Sequence, residues 1–218
     1  MKLSKRLNAL ASFVDESDIV ADIGCDHAQL CCALVLHKNI AKAYACDVAE
    51  GPLLQAKNNI EYYKLQNRIA TVLGDGLDRL SEDVNCIVIA GMGFETVCHI
   101  LDSNLQKLQG RKCIVQVNRD VEGLRQWISD HHFTILHEKC VLEDHYYQII
   151  VFNTGVSSPL NKDEILFGKE MIHDFDFYSF WKYNLMKQEK ILCQLDESHP
   201  RYPEVRMRMR QIYQLFGS

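Results

Sequence analysis

Short runs of β-branched and small apolar residues alternate with amphipathic segments of helical length from residue 19 to residue 152, and this alternation constrains the fold most strongly. A run followed by a helix and then by another run builds a parallel sheet with helices on both faces. The predicted helices span residues 28–37, 51–65, 94–108 and 120–131. The predicted strands are Ile19–Ile23, Ala43–Asp47, Ile69–Leu73, Cys86–Ala90, Cys113–Val117, Thr134–Leu142 and Tyr146–Phe152.

The last two apolar runs depart from this alternation of strands and helices. Only Glu143, Asp144 and His145 separate them, which is too short for a crossover helix, so the two strands pair as an antiparallel hairpin. The sequence therefore predicts an α/β fold, with a Rossmann-like sheet of seven strands that is parallel except for its terminal hairpin. An amphipathic helix over residues 3–14 is predicted to precede this sheet.

A helical tail follows the turn-rich segment that begins at Gly155. Two apolar stripes in the tail, separated by Pro200 and Pro203, predict an antiparallel helical hairpin. We therefore expect two domains. The first is a Rossmann-like domain over residues 1–155, and the second is a helical, coiled-coil-like domain over residues 160–218.

The nine cysteines contain no Cys-x-x-Cys pair, and most stand within apolar runs, where a free thiol behaves as a small hydrophobic group. We therefore expect no metal site. Because no signal-peptide pattern and no apolar stretch of membrane-spanning length is visible, we expect a reducing, cytoplasmic location and no membrane partner. The net charge of −5 is not that of a strongly basic nucleic-acid binder, so any nucleic-acid contact must come from local basic patches.

The turn from Asp22 to Asp26 ends the first predicted strand, where doubly wound sheets bind their ligands. Gly24 lets a ligand approach the backbone closely. A dinucleotide-binding turn favours Gly-x-Gly-x-x-Gly without competing negative charge, but here Asp26 and Gln29 stand at the second and third glycine positions. The two carboxylates favour a cationic ligand. S-adenosylmethionine, which carries a sulfonium and an ammonium and no phosphate, fits that description.

Two further acidic residues follow the next two strands. Asp47 lies 25 residues after Asp22 and can accept both ribose hydroxyls, although it can equally cap the following helix. Asp75, flanked by two glycines, can accept a hydrogen bond from an adenine amino group or simply form a turn. His27 has three open interpretations: it contacts the acceptor, tunes Asp26, or caps the first helix.

The loops after the fourth and fifth strands are the predicted acceptor side. Small residues in Ala90–Gly93 leave space beside a transferable methyl group, and Met92 or Phe94 can pack on a base. Asn118 and Arg119 carry an amide and a guanidinium, which bind bases and phosphates.

These motifs, in this order, resemble those of the bacterial tRNA (adenine-22-N1)-methyltransferases. The matching segments are Leu3–Leu7, Ala21–Ala28, Gly74–Leu77, Ile89–Gly93, Gln116-x-Asn118 and the helical tail. The resemblance implies a Rossmann-like catalytic domain of class I with a C-terminal coiled-coil-like domain. It also implies methyl transfer from S-adenosylmethionine to N1 of adenine 22 in the D-arm region of a tRNA substrate. The chain departs from the family pattern at Cys25, Val117 and Phe94.

The predicted site residues fall into three groups. Cofactor contacts are expected at Asp22, Gly24, Asp26, His27, Asp47, Asp75, Gly76 and Gly91. The catalytic pocket is expected at Gly91, Met92, Gly93 and Asn118. RNA contacts are expected at Lys5, Arg6, Arg119, Arg206, Arg208 and Arg210, although the basic residues of the tail can equally form a solvated face.

Three alternatives stay open at this level. A methyltransferase for another RNA site or for a small molecule differs in its acceptor, and deletion of the tail separates these two cases. An RNA-binding module without catalysis would not bind S-adenosylmethionine. An NAD oxidoreductase would bind NADH, although the missing glycines disfavour it. A monomer is favoured, and the sequence does not determine whether the chain dimerises.

Overall fold

The computed structural model describes residues 1–171 and 175–217 of the chain. They belong to two compact units, Met1–Met171 and Ile172–Ser218. The strands of the first unit are β1 (Ile19–Ile23), β2 (Lys42–Asp47), β3 (Ile69–Leu73), β4 (Cys86–Met92), β5 (Lys112–Val117), β6 (Thr134–Leu142) and β7 (Tyr146–Asn153). Its helices are α1 (Lys5–Ser12), α2 (Gln29–His37), α3 (Glu50–Tyr62), α4 (Phe94–Asp102), α5 (Leu105–Leu108), α6 (Val121–Asp130) and α7 (Lys162–Phe167).

The seven strands form one sheet in the order β3-β2-β1-β4-β5-β7-β6. Strands β1 to β5 pair in parallel, whereas β7 runs antiparallel to both β5 and β6. The predicted mixed sheet with a terminal antiparallel hairpin is therefore confirmed. The chain runs outward from β1 to β3 and then returns to β4 on the other side of β1. The topological switch point, where such sheets bind ligands, thus lies at the carboxyl ends of β1 and β4.

The core consists of two apolar layers, one on each face of the sheet. Val20 and Val88 point into the layer covered by α1, α2 and α3, whereas Ile87 and Ile89 point into the layer covered by α4 and α6. Because the central strands are buried on both faces, they read in the sequence as continuous apolar runs rather than as alternating ones.

Several predicted helix bounds were wrong. The helix expected over 51–65 ends at Tyr62, since Lys64 adopts a left-handed φ of 58° that no helix can contain. The helix expected over 94–108 breaks into α4 and α5, because Asn104 leaves helical geometry with φ of −137°. The helix expected over 3–14 begins only at Lys5, where the Ser4 hydroxyl caps it.

The helix α7 was not predicted separately within the tail. A capping box defines its start: the Asn161 side chain accepts from the Glu164 backbone N–H, and the Glu164 carboxylate accepts from the Asn161 N–H.

A buried ion pair holds this region onto the sheet. Arg125 on α6 and Glu138 on β6 are both fully buried, with Arg125 Nε 2.6 Å from Glu138 Oε1. Arg125 also donates to the Gln148 side chain of β7 at 2.7 Å, and the second Glu138 oxygen accepts from the Lys169 backbone N–H at 2.6 Å. The ion pair therefore fixes the chain that follows α7, and the first compact unit reaches Met171.

The second unit contains α8 (Phe175–Leu192) and α9 (Tyr202–Leu215). Tyr178, near the start of α8, contacts the ring of Phe216 beyond the end of α9, with 6.1 Å between ring centroids. Tyr213 donates to the Glu189 carboxylate at 2.6 Å. The two tail helices predicted from the apolar stripes are thus present. The division of the chain into two functional domains stays a prediction.

All nine cysteines are free, and seven of them are buried, which confirms that most act as small core residues. Within residues 1–171 and 175–217, no cluster of three or more potential metal ligands is found. No helix among these residues is long and apolar enough to cross a membrane.

Candidate functional site: a carboxylate-lined cavity

A cavity of about 600 Å³ opens at the carboxyl ends of β1 and β4, at the switch point of the sheet. Cavities of this volume hold ligands of nucleoside size. Its walls come from α1, the β1–α2 turn, the end of β4 and the β6–β7 turn. The charged and polar side chains used below are Arg6, Asp22, Asp26, His27, Glu143, Asp144 and Tyr147.

The β1–α2 turn forms the floor of this cavity. The backbone N–H groups of Gly24 and Cys25 both donate to the Cys46 carbonyl, at 2.9 and 3.0 Å, which ties the turn to the end of β2. These two N–H groups precede α2, which begins at Gln29, and their engagement holds the turn in place at the base of the cavity.

Gly24 lies directly against Met92 from the end of β4. A Cβ added to Gly24 would stand 2.2 Å from the terminal methyl of Met92, and the backbone φ of +74° is one that side chains rarely adopt. The left-handed backbone thus favours glycine here, whereas the Met92 methyl, at the end of a flexible side chain, can move aside.

Substituting Gly24→Ala is expected to lower the free energy of unfolding by about 1–2 kcal/mol, because of the left-handed backbone, and to weaken cofactor binding more than tenfold. Urea denaturation and calorimetry with S-adenosylmethionine measure the two effects. The added Met92→Ala substitution should restore part of the stability by removing the steric contact. If it restores none, the contact with Met92 does not constrain this position.

Asp22 ends β1 with its side chain almost fully buried, at 6% exposure. Burial raises its pKa to about 7, while the nearby Arg6 guanidinium and a hydrogen bond from the Cys31 thiol act in the opposite direction. A cationic group placed beside this carboxyl would favour its ionised form.

Asp26 and His27 lie at the open side of the turn. The His27 Nε2 atom is 3.4 Å from Asp26 Oδ1, and no side chain caps the start of α2. Of the three interpretations of His27, helix capping is therefore wrong, and the structure places this residue beside Asp26 in the cavity wall.

A network of amides fixes the loop after β4. Gln116 on β5 is fully buried, and its side-chain oxygen accepts from Arg6 at 2.9 Å and from the Gly91 N–H at 3.2 Å. Its amide nitrogen donates to Asn118 Oδ1 at 3.2 Å, and Asn118 in turn donates to the Gly91 carbonyl at 2.7 Å. The Asn118 amide is thus engaged at its nitrogen with Gly91 and at its oxygen with Gln116, which favours a positioning role for this predicted catalytic residue.

Arg6 points into the cavity. Besides its bond to Gln116, its guanidinium lies over the Tyr147 ring, 5.3 Å from the centroid. By contrast, the side chains of Lys5 and Arg119 are exposed. Of these three predicted RNA contacts, only Lys5 and Arg119 are therefore directed to solvent.

The remaining predicted cofactor residues lie along the same sheet edge, outside the cavity. Asp47 ends β2, and its backbone carbonyl accepts from the Gly74 N–H at 3.1 Å, which links the β2 and β3 loops. The Asp47 side chain accepts from the backbone N–H of Ala49, the N-cap residue of α3, at 3.0 Å, so it contacts the start of this helix without being its N-cap. Asp75 is exposed after β3, and Gly76 packs against Ile100.

Gly93 and Phe94 begin α4. Gly93 is its N-cap and is exposed, whereas Phe94 packs on the core cluster below the sheet and approaches Gly123. The two residues expected to pack on a base, Met92 and Phe94, are both partly buried against this core cluster, and the Met92 methyl also lies against Gly24 of the cavity floor.

The sequence did not predict the cavity wall that the β6–β7 turn forms. Glu143, Asp144 and Tyr147 belong to the β6–β7 hairpin, whose short turn was interpreted only as a connection. Tyr147 donates to Asp144 Oδ1 at 2.9 Å, and Glu143 Oε1 accepts from the Lys5 N–H at 2.7 Å. The two adjacent acids at the turn were the available signal, but nothing local places this hairpin against α1.

The charges of the cavity are predominantly negative. Four carboxyl groups line it, together with the single guanidinium of Arg6. Such a surface attracts cations and repels phosphates. The arrangement suits a ligand that carries positive charge.

Comparison with known proteins agrees with this geometry. The family model described as "Methyltransferase domain" matches residues 3–150. The chain is 35% identical over 158 residues to the tRNA (adenine(22)-N(1))-methyltransferase of Bacillus subtilis (strain 168). That match covers 71% of this chain and 66% of the relative, so the aligned region spans about two thirds of the relative's length.

Two solved structures match nearly the whole chain. TrmK of M. capricolum, in complex with the cofactor product S-adenosyl-homocysteine, is 32% identical with a TM-score of 0.87, and the match covers 100% of this chain and 99% of that one. Sp1610 of Streptococcus pneumoniae, in complex with S-adenosyl-L-methionine, is 32% identical with a TM-score of 0.88. This match covers 98% of this chain and 99% of that one.

Proposed function

This chain belongs to the family of tRNA (adenine(22)-N(1))-methyltransferases, and we propose that it transfers a methyl group from S-adenosylmethionine to N1 of adenine 22 in tRNA. The observation that carries the proposal is the acidic cavity at the switch point, which is lined by Gly24 and Gly91 and by four carboxyl groups that disfavour a phosphate. Relatives that match along the whole chain bind S-adenosylmethionine or its product.

The cofactor is held along the carboxyl edge of the sheet. Asp22 and Asp26 face its ammonium and sulfonium charges, and Gly24 allows close approach to the backbone. Asp47 accepts from the ribose hydroxyls, and Asp75 accepts from the adenine amino group. When bound, the cofactor supplies an activated methyl group to a nucleophile.

Val48 completes this side and was not singled out from the sequence. It directly follows Asp47 and is 68% exposed, which is high for an apolar residue. We expect it to pack against the cofactor's adenine, since that contact would remove its apolar surface from water.

The acceptor side consists of the Gly91–Gly93 loop together with Arg6 and Tyr147. N1 of adenine has its own lone pair, so the protein's main task is to orient the base. Because N1 lies on the Watson–Crick edge, the base must leave any pairing before it enters the cavity, at a cost of a few kcal/mol. The Gln116–Asn118 network holds the loop against which the base is oriented.

Mass spectrometry of nucleosides tests the proposed function. Unmodified tRNA incubated with the protein and S-adenosylmethionine is digested, and its methylated nucleosides are identified. We expect 1-methyladenosine, and a tRNA with adenine 22 replaced should give none. A different methylated nucleoside, or methylation that persists without adenine 22, would overturn the assigned acceptor.

The exposed basic residues are proposed to contact tRNA phosphates. Arg206 and Arg210 lie four residues apart on α9 and are both exposed, so they share one face of the helix. Arg208 belongs to a different face and is only half exposed. Lys5 and Arg119 supply exposed charges in the first unit.

Replacing Arg206 and Arg210 together with alanine is expected to raise the KM for tRNA about tenfold, leave kcat unchanged and lower the salt dependence of binding, because two phosphate contacts are lost. Filter binding at several salt concentrations and steady-state kinetics measure these effects. Lys162→Ala, an exposed lysine on α7, is the matched control. Equal effects of both changes would argue against a specific contact by α9.

A cytoplasmic location is proposed as well. It is supported by the tRNA acceptor and by the nine free thiols, which suit a reducing compartment.

A further inference from the structure

The β6–β7 turn contributes a carboxylate to the cavity that the cofactor contacts described above leave unused. Asp144 lines the cavity together with Asp22, Gly91 and Tyr147. Its side chain is 65% exposed, so it stands at the mouth, where a base from a large substrate enters. The other acid of the turn, Glu143, is engaged with the backbone N–H of Lys5.

Asp144 is held in one orientation. The Tyr147 hydroxyl donates to its Oδ1 at 2.9 Å, and the His145 backbone N–H donates to the same oxygen at 3.0 Å. The hydrogen bond from Tyr147 lowers the pKa of Asp144, so this carboxylate is ionised at neutral pH. Tyr147 is itself fixed by the Arg6 guanidinium over its ring. Both hydrogen bonds engage Oδ1. The other oxygen, Oδ2, lies 3.9 Å from Nε2 of the exposed His145 imidazole, beyond hydrogen-bond distance, so it can accept a hydrogen bond from a ligand.

The proposed reaction creates a positive charge on the base. The N1 lone pair forms the new N–C bond while the S–C bond breaks, with its electron pair left on sulfur. The sulfonium charge therefore moves to the adenine, where it is shared between N1 and the exocyclic N6 amine. The N6 hydrogens become stronger donors as this charge develops, and no proton has to leave for the step to balance.

From this geometry we propose that Asp144 is a further catalytic residue, which accepts a hydrogen bond from the N6 amine of the target adenine and stabilises the positive charge that develops on the base. Tyr147 is then a positioning residue, which acts by holding Asp144. The inference rests on the proposed function and names the group that recognises the acceptor. It also explains how adenine is distinguished from bases without an amine next to the nucleophilic nitrogen.

The contact between Asp144 and the N6 amine can be tested by removing the amine from the base and the carboxylate from the protein. Rates are compared for tRNA that carries adenine or unsubstituted purine, which lacks the N6 amine, at the target position. Asp144→Ala is expected to lower kcat about tenfold or more on adenine but less than about twofold on purine, because only adenine makes the contact. The lower intrinsic reactivity of purine affects wild type and variant alike, so it cancels from the ratio of their rates on that substrate. Equal losses on both substrates would overturn the proposal.

Binding without turnover provides a second readout. Fluorescence anisotropy compares unmodified tRNA with tRNA that already contains the cationic 1-methyladenosine at the target position. Asp144→Ala should weaken binding of the methylated tRNA several-fold more than binding of the unmodified tRNA, because an anionic partner is lost. Equal weakening of the two would contradict stabilisation of a cationic base.

Two further variants separate positioning from folding. Tyr147→Phe keeps the ring beneath Arg6 but loses the hydroxyl, so it should reproduce part of the Asp144→Ala effect on adenine and none on purine. Leu142→Ala alters the same hairpin at an exposed side chain outside the cavity, and it should leave both rates unchanged. If Leu142→Ala matches Asp144→Ala, the turn acts through its conformation, and the proposal is wrong.

The outcome for wild type distinguishes this inference from the function on which it rests. If wild type forms no 1-methyladenosine, the proposed function fails and the inference fails with it. If wild type forms 1-methyladenosine but the two substrates respond equally to Asp144→Ala, only the role of Asp144 is wrong.

Discussion

Glu138→Gln is expected to lower the free energy of unfolding by about 3–5 kcal/mol, because it leaves the guanidinium of Arg125 charged, buried and without its counterion. Both side chains of this pair are fully buried, and the second Glu138 oxygen also accepts backbone N–H groups after α7. Urea denaturation followed by circular dichroism measures the loss.

The matched control is an ion pair at the surface. Lys42 and Asp83 lie 3.0 Å apart with side chains about 40% exposed, so Lys42→Ala should cost less than about 1 kcal/mol. A Glu138→Gln cost as small as that of Lys42→Ala would show that the buried pair does not hold the segment after α7. Hydrogen exchange at Lys169 localises the effect, since its N–H donates to Glu138.

Asp22→Asn is expected to stabilise the protein without cofactor at pH 8 while weakening S-adenosylmethionine binding by tenfold or more. In the folded chain, burial raises the pKa of Asp22 to about 7, from an ordinary value of 3.8. A carboxyl whose pKa is higher in the folded chain than in the unfolded chain stabilises the fold only while it is protonated. This stabilisation is complete at pH values below the pKa of the unfolded chain, and it is lost as the pH rises toward the pKa of the folded chain. The asparagine variant loses none of this stability with rising pH, because asparagine does not ionise.

The stability difference between Asp22→Asn and wild type should therefore grow between about pH 4 and pH 7 and then level off, reaching about 2–4 kcal/mol. Thermal unfolding across this range measures it. The affinity of wild type for S-adenosylmethionine should rise over the same interval, because the ionised carboxylate attracts the cation, whereas the affinity of the variant should stay flat between pH 5.5 and 7. Parallel pH profiles of the two proteins would contradict a direct role for Asp22.

Both predictions depend on how deeply charged groups are buried, which the sequence does not show. Asp22 was singled out from the turn that contains it, yet its pKa depends on burial beneath α2 and on Arg6. Glu138 and Arg125 carry no sequence signal at all, since charged residues at these positions would ordinarily be placed on the surface.

The sequence by itself determined the sheet, its terminal hairpin and the sheet edge at which the cavity opens. Those features follow from local patterns: the length of an apolar run, the period of a helix, and a linker of three residues that is too short for a crossover. The acids after the first three strands could be placed on one edge because parallel strands end there together.

Only the tertiary structure decided what closes the cavity. The contact between Arg6 and Gln116 joins residues 110 positions apart, and that between Lys5 and Glu143 joins residues 138 positions apart. No local propensity encodes such pairs, because they depend on how α1 packs across the sheet against the β6–β7 hairpin. For the same reason Arg6, expected to face RNA phosphates, instead points into the cavity, and Asp144 and Tyr147 became visible only once the chain was folded.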